Sequence, residues 1–215
     1  MLLDIVYRSE DSRVILDGLR VVAQDNDNFS DDVRERMYEK TLAFIGQGHF
    51  SLSQVCETVL ILSNFHKHDK KRSLEMSDQL WAGILDKTTG EPMDAKSVVA
   101  VFKTLPCLTQ SRDYVYKVIS NKAGDLWNQF DSKDIMEILR VLSVMGSIQC
   151  SYCQRATLTV ISNWVAVNIH QLREQELLAL IVCFDKMEVF NSRFVQAMEK
   201  YMRGTKSCRS SLRRD

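Results

Sequence analysis

Three groups of residues in this chain have types and spacings that could do chemistry: a C-x-x-C pair, a histidine-bearing basic run and a recurring arginine. Cys150 and Cys153 form CSYC. A structural zinc site takes four ligands, normally two such pairs or one pair with suitably spaced histidines, and no second pair exists here. A redox role would want a βαβ setting, whereas CSYC opens a helical pattern, so the two cysteines read as helix-start residues. His66 and His68 lie in HKHDKKR, two residues apart, where they diverge on a helix with no third ligand near. That run reads as a solvated connection, with a phosphate contact as its alternative. The phosphate loop G-x-x-x-x-G-K-[ST], G-x-G-x-x-G, H-E-x-x-H, G-x-S-x-G and the kinase triplets are all missing from the sequence. The expectation is therefore a non-enzyme with no cofactor, no metal and no small-molecule substrate.

The arginines carry a period. Arg34, Arg72, Arg112, Arg155 and Arg193 recur at intervals of 38, 40, 43 and 38 residues. Each stands near the start of a helical pattern, where a cation opposes the helix dipole at a cost of about 0.3–1 kcal/mol. In a stack of repeats they would form a ladder along one edge, and a guanidinium fork suits phosphate oxygens. Lys71, Lys117 and Lys122 would add phosphate contacts, while Tyr114 and Tyr116 beside Arg112 and Tyr152 beside Arg155 could stack exposed bases. The plain alternative is that these arginines decorate helix surfaces and the tyrosines pack half-buried. Trp81 and Trp164, each nine residues after a ladder arginine, mark a shared core position.

The elements that must position these residues are helices. Two Pro and eight Gly in 215 residues are too few for the tight turns of an all-β chain. Five segments repeat a polar cap followed by apolar residues at helical spacing. They are DSRVILDGLRVVA from Asp11, SLSQVCETVLILSNF from Ser51, DAKSVVAVFKTL from Asp94, DSKDIMEILRVLSVM from Asp131 and REQELLALIVCF from Arg173, with starts 40, 43, 37 and 42 residues apart. In the fourth, Ile135, Ile138, Val141 and Leu142 share one helix face. Second helices of mixed texture follow, over Ser30–Ile45, Lys71–Leu85, Ser111–Trp127, Ser151–Ile169 and Asn191–Arg203. Ser30, Ser111, Ser151 and Asn191 stand where a side-chain oxygen caps a helix, as Asp94 and Asp131 do for first helices. The fold class expected is all-α, an α-solenoid of tandem helical hairpins with a period near 40 residues and roughly five repeats. Their approximate bounds are 11–49, 50–92, 93–129, 130–170 and 171–204, in one domain over 1–215 that ends in a disordered basic tail at 205–215. An irregular helical bundle is the alternative.

Formal net charge is zero, which excludes a global field that steers the chain to an acidic partner. The distribution is uneven: residues 1–49 hold ten acids and six bases, and 199–215 hold six bases against Glu199 and Asp215. Cys56, Cys107 and Cys183 sit in apolar runs, where cysteine packs as a small hydrophobe, so a reducing compartment is expected. No apolar run approaches the ~18–20 residues that span a bilayer, so no membrane role is expected. The opening MLLDIVYRSEDSR lacks the flanks of a signal or transit peptide and reads as a chain entered in mid-domain.

The first-helix lines FDSKDIMEILRVLSVMGSI from Phe130, FSLSQVCETVLILSNF from Phe50 and the weaker LREQELLALIVCFDKM resemble the recurring aromatic–cap–leucine-rich lines of the FAST kinase domain-containing (FASTKD) family. The resemblance covers nearly the whole chain. It implies a mitochondrial protein acting on organellar RNA in its processing, stability or translation, and it carries no family functional residue onto a position here. Three readings of function follow: a segment that binds single-stranded RNA through the arginine ladder, a protein–protein scaffold of armadillo-like type with no nucleic-acid ligand, and a regulatory module of a larger enzyme.

Overall fold

A computed structural model describes residues 2–24, 28–65, 80–85, 87, 92–108, 112–145, 151–186 and 192–211. The regular structure among those residues is all helical, with no strand. The first helices begin one residue after each polar cap: α2 over Ser12–Gln24, α4 over Leu52–Phe65, α5 over Ala95–Thr104, α7 over Ser132–Met145 and α9 over Glu174–Lys186. A short α1 (Leu2–Arg8) precedes them. The second helices are α3 (Asp31–Gly46), α6 (Arg112–Asp125), α8 (Ser151–Asn168) and α10 (Ser192–Ser211), and residues 80–85 belong to a further one. The rest of the second helix expected over 71–85 lies outside the described residues.

The starts are legible because they are closed locally. Ser51 and Gln54 cap reciprocally: the Ser51 N–H donates to Gln54 Oε1 at 2.9 Å, and the Gln54 N–H reaches Ser51 Oγ at 3.4 Å. Asp131 and Asp134 do the same with two carboxylates, at 3.1 and 2.9 Å. Asp94 accepts the Ser97 N–H at 2.8 Å, and the Arg173 N–H donates to Glu176 Oε2 at 2.8 Å. Each bond satisfies a backbone or cap donor that the helix cannot pair itself. Ser30 is different. It sits at the N-cap of α3 but makes no side-chain cap bond, and its carbonyl instead accepts from Val33 and Arg34. Ser111 and Asn191 lie outside the described residues.

The contacts group into two compact units: Met1–Met93 with Ala100–Tyr116, and Asp94–Val99 with Lys117–Asp215. A period shows that one local unit recurs and is silent on which copies share a core. In the first unit α2 packs on α1, α3 and α4. Gly18 lets α1 come close, since a Cβ there would stand 2.7 Å from Val6 Cγ1. Helix α3 ends in a Schellman turn, with Gly48 at φ 74°, its N–H on the Ile45 carbonyl and the His49 N–H on the Phe44 carbonyl. The His49 ring packs on Phe44 at 5.2 Å, the apolar contact that accompanies such an ending.

In the second unit α9 packs on α7, and α10 on α8. Its centre is Trp164, 1% exposed, whose indole N–H donates to the Phe130 carbonyl at 2.7 Å. Phe184 and Phe194 stack at 4.3 Å and 6°. Lys96 spans from α5 to Asp131 at 2.9 Å and Asp134 at 2.8 Å, so the cap of α7 is also an ion pair. The last helix runs to Ser211.

Candidate nucleic-acid interface

The second unit brings ladder residues together. Helices α6 and α8 border a groove of about 610 Å³, lined by Asn121, Gly124 and Asp125 from α6 and by Arg155, Thr159 and Asn163 from α8. Beneath it the buried hydroxyls of Ser120 and Thr157 meet at 3.0 Å and tie the two helices. Gly124 faces open space at the wall, where nothing lies within 4 Å of a Cβ built on it.

Arg155 is exposed at the groove wall and forms no ion pair among the described residues. Arg193 enters from α10: its Nη1 donates to Asn163 Oδ1 at 2.5 Å. The amide positions the guanidinium at the groove wall. Arg155, Thr159 and Asn163 recur every four residues on one face of α8, so the two cationic positions are roughly 12 Å apart along the helix. Lys117 shares an α6 face with Asn121 and Gly124, at i, i+4 and i+7. Lys122 is exposed on the neighbouring face. Asp125 is the acid in the wall. The surface therefore gathers exposed cations beside amides and a hydroxyl, an arrangement suited to phosphate oxygens and to polar base edges.

The first unit uses its arginines differently. Arg34 pairs with Asp31 one turn back on α3. Arg112 opens α6, and its Nε is buried without a hydrogen-bond partner among the described residues. Tyr114 is exposed and lies edge-on to Trp81 at 6.5 Å, which leaves one ring face to solvent. Tyr116 is 1% exposed and packs edge-on to Phe102 at 6.1 Å, so it is a core residue and not a base-stacking one. Lys71, Arg72, His66, His68 and Cys150 lie outside the described residues, as do the side chains of Tyr152 and Cys153.

Sequence reasoning missed Asn121, Thr159 and Asn163. The four-residue recurrence of Arg155, Thr159 and Asn163 was a readable signal, because it places three polar residues on one face of a helix whose other faces are apolar. Thr159 Oγ1 bonds back to the Arg155 carbonyl at 2.8 Å, which keeps the threonine within the helix ladder. Among the described residues no group of three or more His, Cys, Asp or Glu could hold a metal ion, and no helix is long and apolar enough to cross a membrane. No protein-family model, no curated protein and no solved structure matches the chain.

Proposed function

We propose that this chain is an α-solenoid segment of stacked helical hairpins that binds single-stranded RNA along the groove between α6 and α8. The stacking is supported by first-on-first packing of α2 with α4 and of α7 with α9, and by second-on-second packing of α8 with α10. One observation carries the ligand class: Arg155 lines a polar groove with Asn121, Thr159 and Asn163, and Asn163 brings the Arg193 guanidinium to the same wall. The resemblance to FASTKD lines adds the setting, a mitochondrial protein of RNA processing, stability or translation.

Fluorescence anisotropy with a labelled RNA of about 20 nucleotides tests this at low and physiological salt. Saturable binding that weakens as salt rises is expected, with a slope near 0.7 per phosphate contact on a logarithmic scale. Arg155→Ala with Arg193→Ala should lower affinity at least tenfold and flatten that slope. A folded double variant with unchanged binding would remove the groove from the reading, and no binding to the parent chain in low salt would remove RNA altogether.

A protein scaffold is the second reading, favoured by a separate groove of about 460 Å³ between α7 and α9. Met136, Leu139, Ala179, Val182 and Cys183 line it, with Glu137 and Arg140 balancing each other in charge. An apolar, electrically neutral groove suits a peptide side chain better than a phosphate.

A further inference from the structure

One stripe of the first helices changes character in the last copy. Counting from the cap, the eighth residue is Leu19, Val59, Phe102 or Leu139 in the first four copies, none more than 3% exposed. Its equivalent in α9, Ile181, is 40% exposed. Three residues earlier, Leu16, Cys56 and Val99 are at most 6% exposed, whereas Leu178 is 56% exposed. The joint between α7 and α9 shows how such a position is covered: α9 lies along α7 with Cys183 Sγ 3.8 Å from the Leu139 carbonyl. The face of α9 that continues this sequence of joints is apolar and open.

Its ends identify the occupant. Glu174, Leu178, Ile181 and Asp185 fall at i, i+4, i+7 and i+11, one straight stripe roughly 16 Å long with an exposed acid at either end. The corresponding ends are Ser132 and Ser143 in α7, and Leu52 and Ser63 in α4. Asp185 in the last turn opposes the dipole of α9, so helix stability does not account for it. A second copy of the chain does not fit, because pairing this stripe with itself in either direction sets acid against acid. A hairpin capped in the manner of α7 also fits poorly: Asp134 comes up to Lys96 at the start of α5, and an acid arriving so would meet Glu174.

We propose that the open face of α9 docks an amphipathic helix of a separate protein, with an apolar centre on Leu178 and Ile181 and a basic residue near each end on Glu174 and Asp185. The inference does not rest on RNA binding, which uses the α6–α8 groove.

Two fluorescein-labelled helical peptides of 18 residues, designed for the purpose, would probe it against the full chain. Both carry leucines at i, i+3, i+4 and i+7 in the centre, one with lysines at its flanks and the other with glutamates. The lysine peptide should bind saturably and the glutamate peptide at least tenfold more weakly. Leu178→Ser with Ile181→Ser should weaken the lysine peptide at least tenfold at unchanged helical circular dichroism, and Glu174→Gln with Asp185→Asn should weaken it several-fold. Ile5→Ser, an exposed apolar control in the other unit, should leave binding as it was. Equal binding by the Leu178/Ile181 variant would overturn the proposal. So would concentration-dependent self-association of the chain that this variant abolishes, since the face would then belong to a second copy.

Discussion

The two units carry the same sequence period and put it to different use. Trp81 and Trp164 stand nine residues after equivalent arginines. Trp164 is sealed in its core with its indole N–H on a carbonyl, whereas Trp81 is half-buried and its buried Nε1 has no partner among the described residues. The arginines divide the same way. In the first unit Arg20 grips Glu57 at 2.7 and 2.8 Å and Arg34 holds Asp31, so their charge is spent internally. In the second, Arg155 and Arg193 face a groove beside amides. A periodic residue type is thus a statement about register. Its partner decides whether it is structure or surface.

The largest test of this contrast is at the tryptophans. Trp164→Ala should lower unfolding free energy by about 3–5 kcal/mol in urea titrations, because it empties a core site and orphans the Phe130 carbonyl. Trp81→Phe removes a donor that has no partner, and should stay within about 1 kcal/mol of the parent. Equal costs would erase the distinction between the two positions.

Next come the arginines. Where Arg155→Ala with Arg193→Ala costs RNA affinity tenfold or more, about 1.4 kcal/mol, Arg34→Ala should change it less than twofold in the same anisotropy titration. A loss with Arg34→Ala as large as that of the groove pair would restore a ladder running through both units.

Smaller still are the caps. Asp131→Ala should cost about 1 kcal/mol, read as a lowered thermal midpoint, while Ser30→Ala should cost almost nothing because Ser30 makes no side-chain bond. The two cap carboxylates also set a pH signature. The Lys96 ammonium, with the Asp134 N–H, holds Asp131 below the ordinary carboxylate range, and the Ser97 N–H does so for Asp94. A group depressed in the folded state stabilises fully above its unfolded value near 4, and that contribution fades as pH falls through the lower folded value. Thermal midpoints should therefore drop below about pH 4 in the parent, and drop less in the Asp131→Asn, Asp94→Asn double variant.

Helix starts could be read at Asp11, Ser51, Asp94, Asp131 and Arg173 because a cap closes within three residues, which is local information. The all-helical class followed from the same segments. Which helices pack on one another could not be read, since it depends on which apolar faces meet. Of the groove, Arg155 and Arg193 were visible through their spacing and Asn163 through its place on the face of Arg155, but the bond from Arg193 to Asn163 was not, because it joins residues 30 apart. Tyr116 was misplaced for a similar reason: an aromatic at helical spacing points to core or solvent according to a neighbour, Phe102, that lies outside its own helix.

The hydrogen bonds that tie distant parts of the chain have a further consequence, for synthesis. Among the described residues, those made by side chains across helices join positions between 26 and 44 apart, from Tyr7 with Val33 to Cys183 with Leu139. A ribosome adds about 40 residues in roughly 2–8 seconds, slower than helices and local helical packing form. Each of these bonds can therefore close within about one repeat of its later residue being made, and the apolar faces joined beside it are left bare for only seconds.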